Sequence, residues 1–159
     1  MADEHGADGP AGAVGRVRPA DAFRNRCLNA ARVLASCGDY SLQRVSLDES
    51  QEDPKENSLD VWLREGPSKP DVVISLSHPY AVEPWEHGLT PVFIDRISLT
   101  HLPALPAPWP EEAVGRLDRT EDLPELAWLR IDGPVTIDAL GQIVTLYRAQ
   151  SDDEASVLD

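Results

Sequence analysis

Between about residues 20 and 36 the apolar side chains recur with helical spacing. Phe23, Cys27, Ala30, Ala31 and Leu34 fall within about a third of a turn at 100° per residue. Arg24, Asn25, Arg26, Asn29 and Arg32 spread over the other side, so the pattern predicts an amphipathic helix with one face for a core. Asp21 after Pro19 is a candidate cap, and Gly38 a stop signal.

After Asp39 the period drops to two. Val45 and Leu47 alternate with Arg44 and Ser46. A polar loop, 48–57, separates them from Leu59, Val61 and Leu63, which alternate with Asp60, Trp62 and Arg64. Past Gly66-Pro67, Val72, Ile74 and Leu76 form a third strand expected to end at Pro79. Residues 92–102 predict a strand whose imperfect alternation suggests a bulge. Three more follow at 127–131, 135–139 and 143–147, with turns expected at Asp132-Gly133-Pro134 and Leu140-Gly141.

One helix and six to seven strands with short late connections predict an α+β fold. The helix packs on a mainly antiparallel sheet that has one dry and one partly wet face. The expected domain spans 19–150, between an N-terminal tail at 1–18 and an acidic C-terminal tail at 151–159, both expected to be disordered.

Charge narrows the partners. The chain has 28 carboxylates against 14 cations, a net charge of −14, which disfavours nucleic acid and anionic lipid. Five cations, Arg16 to Arg32, lie in or just before the helix, so a basic helix precedes an acidic body and is expected to be steered against it. No long apolar run and no secretory leader pattern occur, so a cytoplasmic location is expected. Cys27 and Cys37, ten positions apart around the helix end, are expected to be buried, reduced thiols.

The common nucleotide and catalytic motifs are absent, and no cofactor is expected. Weak metal candidates are His78, Glu86 and His87, which share an end if 71–78 and 91–102 pair. Strict alternation sets Asp95 beside Phe93, Ile97 and Leu99, a possible pocket between helix and sheet. The cost of burying a carboxylate argues instead for a bulge turning Asp95 outward or for a pair with a neighbouring arginine.

The tryptophans form the more informative set. Trp62 and Trp128 fall on the face opposite the aliphatic one, among Arg64 and Arg130. With Trp109 they make up a candidate partner-binding set, since tryptophan and arginine carry much interface energy. The stiff apolar stretch Leu102–Pro110 is a candidate lid over that face. Trp85 and Trp109 are read as loop anchors, and Pro103 to Pro106 as a rigid connector.

The expectation is a non-catalytic acidic binding module of the immunity, inhibitor or adaptor type, holding a protein with a basic surface. In size, acidity and lack of a catalytic set the chain resembles the immunity proteins of bacterial toxin systems, which would imply a toxin as partner. Two alternatives are a small-ligand or enzyme domain with a pocket around Asp95, and a subunit of a larger complex.

Overall fold

A computed structural model describes residues 19–82 and 91–149. The expected tails, with Glu83, Trp85, Glu86 and His87, lie outside these residues. The first element is the amphipathic helix α1 (Pro19–Ala35). Pro19 opens it, where a missing N–H costs nothing. Asp21 therefore sits inside the first turn rather than at the cap, where its charge suits the positive end of the helix. Phe23, Cys27, Ala30 and Leu34 are buried and join the main core.

Seven strands follow: β1 (Ser41–Asp48), β2 (Ser58–Arg64), β3 (Asp71–Val82), β4 (Val92–Phe93), β5 (Arg96–Leu102), β6 (Leu126–Asp132) and β7 (Ile137–Ala149). All pairings are antiparallel, in the order β4-β1-β2-β3-β7-β6-β5. The architecture is α+β, as the alternation predicts.

The two ends of this order are joined by only Ile94 and Asp95. The Ile94 amide donates to the Tyr40 carbonyl (3.2 Å), and the next amide, Asp95, to the Asp132 carbonyl (2.9 Å). Consecutive residues thus reach opposite ends of the sheet, which curls back on itself. Ile94 and Ile97 both point inward, and the two residues between them shift the alternation at the crossover. The expected bulge is this crossover.

Two strand boundaries differ from the sequence reading. Pro79 does not end β3: the strand continues to Val82 through a register shift, with His78 at φ 50°. Leu140-Gly141 is not a turn, because β7 runs unbroken through it. Along β7 the inward positions pass from Ile137 and Ala139 to Val144 and Leu146, and this phase change in the alternation imitates a turn. A Cβ at Gly141 would lie 2.9 Å from the Leu76 Cβ, so glycine here permits close strand approach. The total of seven strands is kept because one expected strand divides and two merge.

The main core joins α1 to the inner faces of the strands, among them Leu42, Leu59, Val61, Leu63, Ile74, Leu76, Leu129 and Ile131. A second cluster lies on the outer side. There Leu102, Trp109, Ala113, Leu126, Trp128 and Leu140 are buried together beneath the segment 103–125.

Candidate functional site

The sheet order settles which of the predicted site residues meet. β2 and β6 are separated by β3 and β7, and register sets Trp62 level with Tyr147 but Trp128 level with Leu140, so the two tryptophans are also offset along β7 by about 23 Å at ~3.3 Å per residue. They occupy different environments. Trp128 is only 7% exposed, and its Nε1 donates to the buried carboxylate of Asp138 at 2.8 Å. Arg116 pairs with the same carboxylate and sits over the Trp128 ring, 5.2 Å from its centroid.

Trp109 is equally buried and donates from Nε1 to the Pro103 carbonyl (2.8 Å). The Arg119 guanidinium closes the same loop on the Pro103 and Ala107 carbonyls, over the Trp109 ring. The candidate lid is therefore the cover of Trp128, and Trp109 is its anchor. Neither ring presents the surface that the partner-binding expectation requires.

Arg64 and Arg130 are also committed. Arg64 forms a two-pronged pair with Asp71 through Nε (2.8 Å) and Nη2 (3.3 Å), and Arg130 bonds to Asp132 (3.1 Å).

Trp62 remains on the open part of the outer face. A bulge between Leu42 and Arg44 brings Arg44, rather than Gln43, opposite it. The Arg44 guanidinium lies over the ring at 3.7 Å from the centroid. Strand register then defines rows across the face. One row runs Arg44, Trp62, Val73, Tyr147, and the next Ser46, Asp60, Ser75, Thr145. A third runs Asp48, Ser58, Ser77, Ile143. Tyr147 and Ile143 are 45% and 44% exposed, whereas Val73, between Trp62 and Tyr147, is fully buried. Among the described residues, the side chains of Ser46, Asp60, Ser75 and Thr145 make no hydrogen bond or ion pair.

The other candidates separate. β3 pairs with β2 and β7, not with β5, so the pairing that would support a His78–His87 site is absent. His78 Nδ1 is engaged by Gln142 Oε1 at 2.8 Å and its ring stacks on Tyr80. No group of three metal-ligating side chains occurs among the described residues. Asp95 and Phe93 are both exposed, Phe93 at 75%. The outward turn of Asp95 is the structural outcome.

A cavity of about 460 Å³ does exist between α1 and β5, lined by residues including Arg24, Cys27, Thr100 and His101. The His101 Nε2 is buried without a hydrogen bond, 3.5 Å from a Glu125 carboxylate oxygen. Burial, then the nearby Glu125 charge, pushes the Cys27 thiol up to about 11, so it stays protonated at neutral pH. Both cysteines are free and buried. The pocket expected between helix and sheet was centred on Phe93 and Asp95, whereas this cavity lies farther along β5, between α1, the end of that strand and the loop that follows it.

Among the described residues no helix is long and apolar enough to cross a membrane. Compared with known proteins, the chain matches no protein family, no curated protein and no solved structure.

Proposed function

We propose that the chain is a binding module that holds a protein partner on the outer face of β1, β2, β3 and β7. The observation that carries this reading is the row of Arg44, Trp62 and Tyr147, in which Arg44 and Tyr147 are exposed and Trp62 is half-buried. Beside it lies a strip of hydroxyl and carboxylate groups whose side chains have no partner among the described residues. Interface centres favour tryptophan, tyrosine and arginine, with polar groups around them supplying hydrogen bonds. The adjoining outer cluster over Trp128 is closed by its own loop, which leaves the Trp62 half as the docking region.

The partner's expected chemistry follows from charge. Asp48 and Asp60 stand on this face of a chain with net charge −14, which favours a basic surface and salt-sensitive association. The test is capture of partners by wild type and by Trp62→Ala. Loss of Trp62 should weaken the complex by more than about 1 kcal/mol, roughly fivefold, with folding unchanged.

A second reading, a small-ligand site, rests on the α1–β5 cavity and the unbonded His101 nitrogen. It predicts that His101→Phe abolishes ligand-induced stabilisation while Trp62→Ala leaves it intact.

A further inference from the structure

β7 outruns one of its neighbours. β3 pairs with it from Ala139 to Ala149, but β6 only from Ile137 to Gly141. Among the described residues, no strand covers the second edge of residues 142–149. In an antiparallel ladder every second residue turns its N–H and C=O to the same side. Half of this stretch therefore presents main-chain groups away from β3, and none of those groups has a hydrogen-bond partner among the described residues. Proteins usually blunt such an edge with proline, lysine or a bulge. Residues 142–149, Gln-Ile-Val-Thr-Leu-Tyr-Arg-Ala, contain neither proline nor lysine.

A groove of about 380 Å³ runs along this edge, with residues 143–146 on the strand side and Arg26, Asn29, Ala30 and Val33 of α1 on the helix side. Ile143 and Thr145 face outward and are exposed, whereas Val144 and Leu146 pack with the main core. Because residues of both faces line it, the groove follows the edge of the strand rather than one side of the sheet. The two walls match in length. Four strand residues cover about 13 Å at ~3.3 Å each, and Arg26 to Val33 cover about 10 Å of helix at ~1.5 Å per residue.

The lining is apolar apart from one cation and two uncharged polar side chains. Val33 is 47% exposed and Ile143 44%, so each has apolar surface left to cover. Arg26 is the one charged residue that lines the groove among the described residues. It is exposed, rests over the Phe23 ring at 5.8 Å, and makes no ion pair with a described carboxylate. No described carboxylate lines the groove, in a chain that carries 28 of them.

We propose that the groove between α1 and β7 binds an extended segment of another protein as an added strand on the β7 edge. A segment of about four to five residues matches the length of the walls. Its main chain pairs with the N–H and C=O groups of 142–148 that point away from β3. Its side chains alternate between the two faces, so apolar residues at every second position rest on Ala30 and Val33, and a neighbouring carboxylate pairs with Arg26. The helix wall selects this occupant over a second copy. The β7 of a second copy is already flanked by its own β3 and α1, and α1 here stands on the side from which it would have to approach. Charge separates this groove from the outer face: Asp48 and Asp60 there favour a basic surface, and Arg26 here favours an acidic segment. The inference does not rest on the outer-face reading.

Selection from a phage-displayed library of short random peptides, with the full chain immobilised, tests it. Enriched peptides should alternate β-branched or aromatic residues with polar ones and carry an aspartate or glutamate. Synthesised and added to the full chain, they should slow hydrogen exchange of the 142–148 amides that point away from β3 about tenfold, as read by NMR. Arg26→Gln and Val33→Glu, both at exposed positions, should each weaken peptide binding about fivefold or more. Arg26→Lys should keep most of the affinity and Trp62→Ala all of it. If Val33→Glu lowers the melting temperature, Arg26→Gln alone decides. No enrichment over the bare support would overturn the proposal. So would enriched peptides that bind Arg26→Gln as tightly as wild type, or that leave exchange at 142–148 unchanged. Protection of those amides in the free chain would overturn it as well, because the edge would already be covered.

Discussion

Arg44 lies over Trp62 on the neighbouring strand, its guanidinium carbon 3.7 Å from the ring centroid. The contact exists because one extra residue in β1 shifts Arg44 into register with the tryptophan. It holds one face of the ring against a cation, in a chain where cations are scarce. At an exposed site such a contact contributes about 0.5–1 kcal/mol. Arg44→Ala should therefore lower stability by no more than ~1 kcal/mol. It should also increase quenching of tryptophan fluorescence by acrylamide, an increase absent in a Trp62→Phe background.

Asp138 is the pin of the covered half. Its buried carboxylate accepts from Trp128 and pairs with Arg116, so one side chain ties β6, β7 and the loop 103–125. Asp138→Ala strands a buried indole N–H and takes one partner from the Arg116 guanidinium, at a cost of about 1–3 kcal/mol. Trp128→Phe removes the donor but keeps the ion pair and should cost less. Urea unfolding of the two variants gives the order.

Gly141 is a packing requirement rather than a turn. An alanine methyl there would stand 2.9 Å from the Leu76 Cβ, also 3.3 Å from its Cδ2, so one strand must shift. Gly141→Ala should cost about 1–3 kcal/mol, and Leu76→Ala in the same chain should not recover it, because alanine keeps the Cβ that the new methyl meets. Thermal melts of the single and double variants measure the coupling.

Alkaline pH should destabilise the fold. Burial raises the Cys27 thiol from 9.0 to about 11, and raises Cys37 and Tyr40 in the same direction. A raised folded-state value means that the folded chain binds the proton more tightly than the unfolded one. For Cys27 this stabilisation is complete below pH 9 and is lost as pH rises toward 11. For a shift of this size the loss is of order 2–3 kcal/mol. Denaturant midpoints at pH 8 and pH 11 should differ less in Cys27→Ala than in wild type.

Periodicity made the helix legible, because Phe23, Cys27, Ala30 and Leu34 repeat at the spacing of one face. It made β2 legible for the same reason at period two. It was misled at Gly141, where a phase change inside one strand looks like the turn between two, and at Pro79, which a bulge accommodates. The closure at Ile94-Asp95 was visible only as imperfect alternation, since the sequence does not say which strands its amides reach. The tryptophans were placed on the correct face as a pair, yet their separation depends on strand order. Trp128 and Trp109 are covered because Pro103, Arg116 and Arg119 bind the loop over them. Trp62 has no comparable loop above it among the described residues.

The most direct test of the outer-face account is parallel capture from the native host lysate with wild type and Trp62→Ala, at low and high salt. Retained proteins are identified by mass spectrometry, and thermal melts confirm equal folding of the two baits. The account predicts a basic protein held by wild type at low salt, weakened at high salt, and lost from Trp62→Ala. The same proteins retained equally by both baits would contradict it.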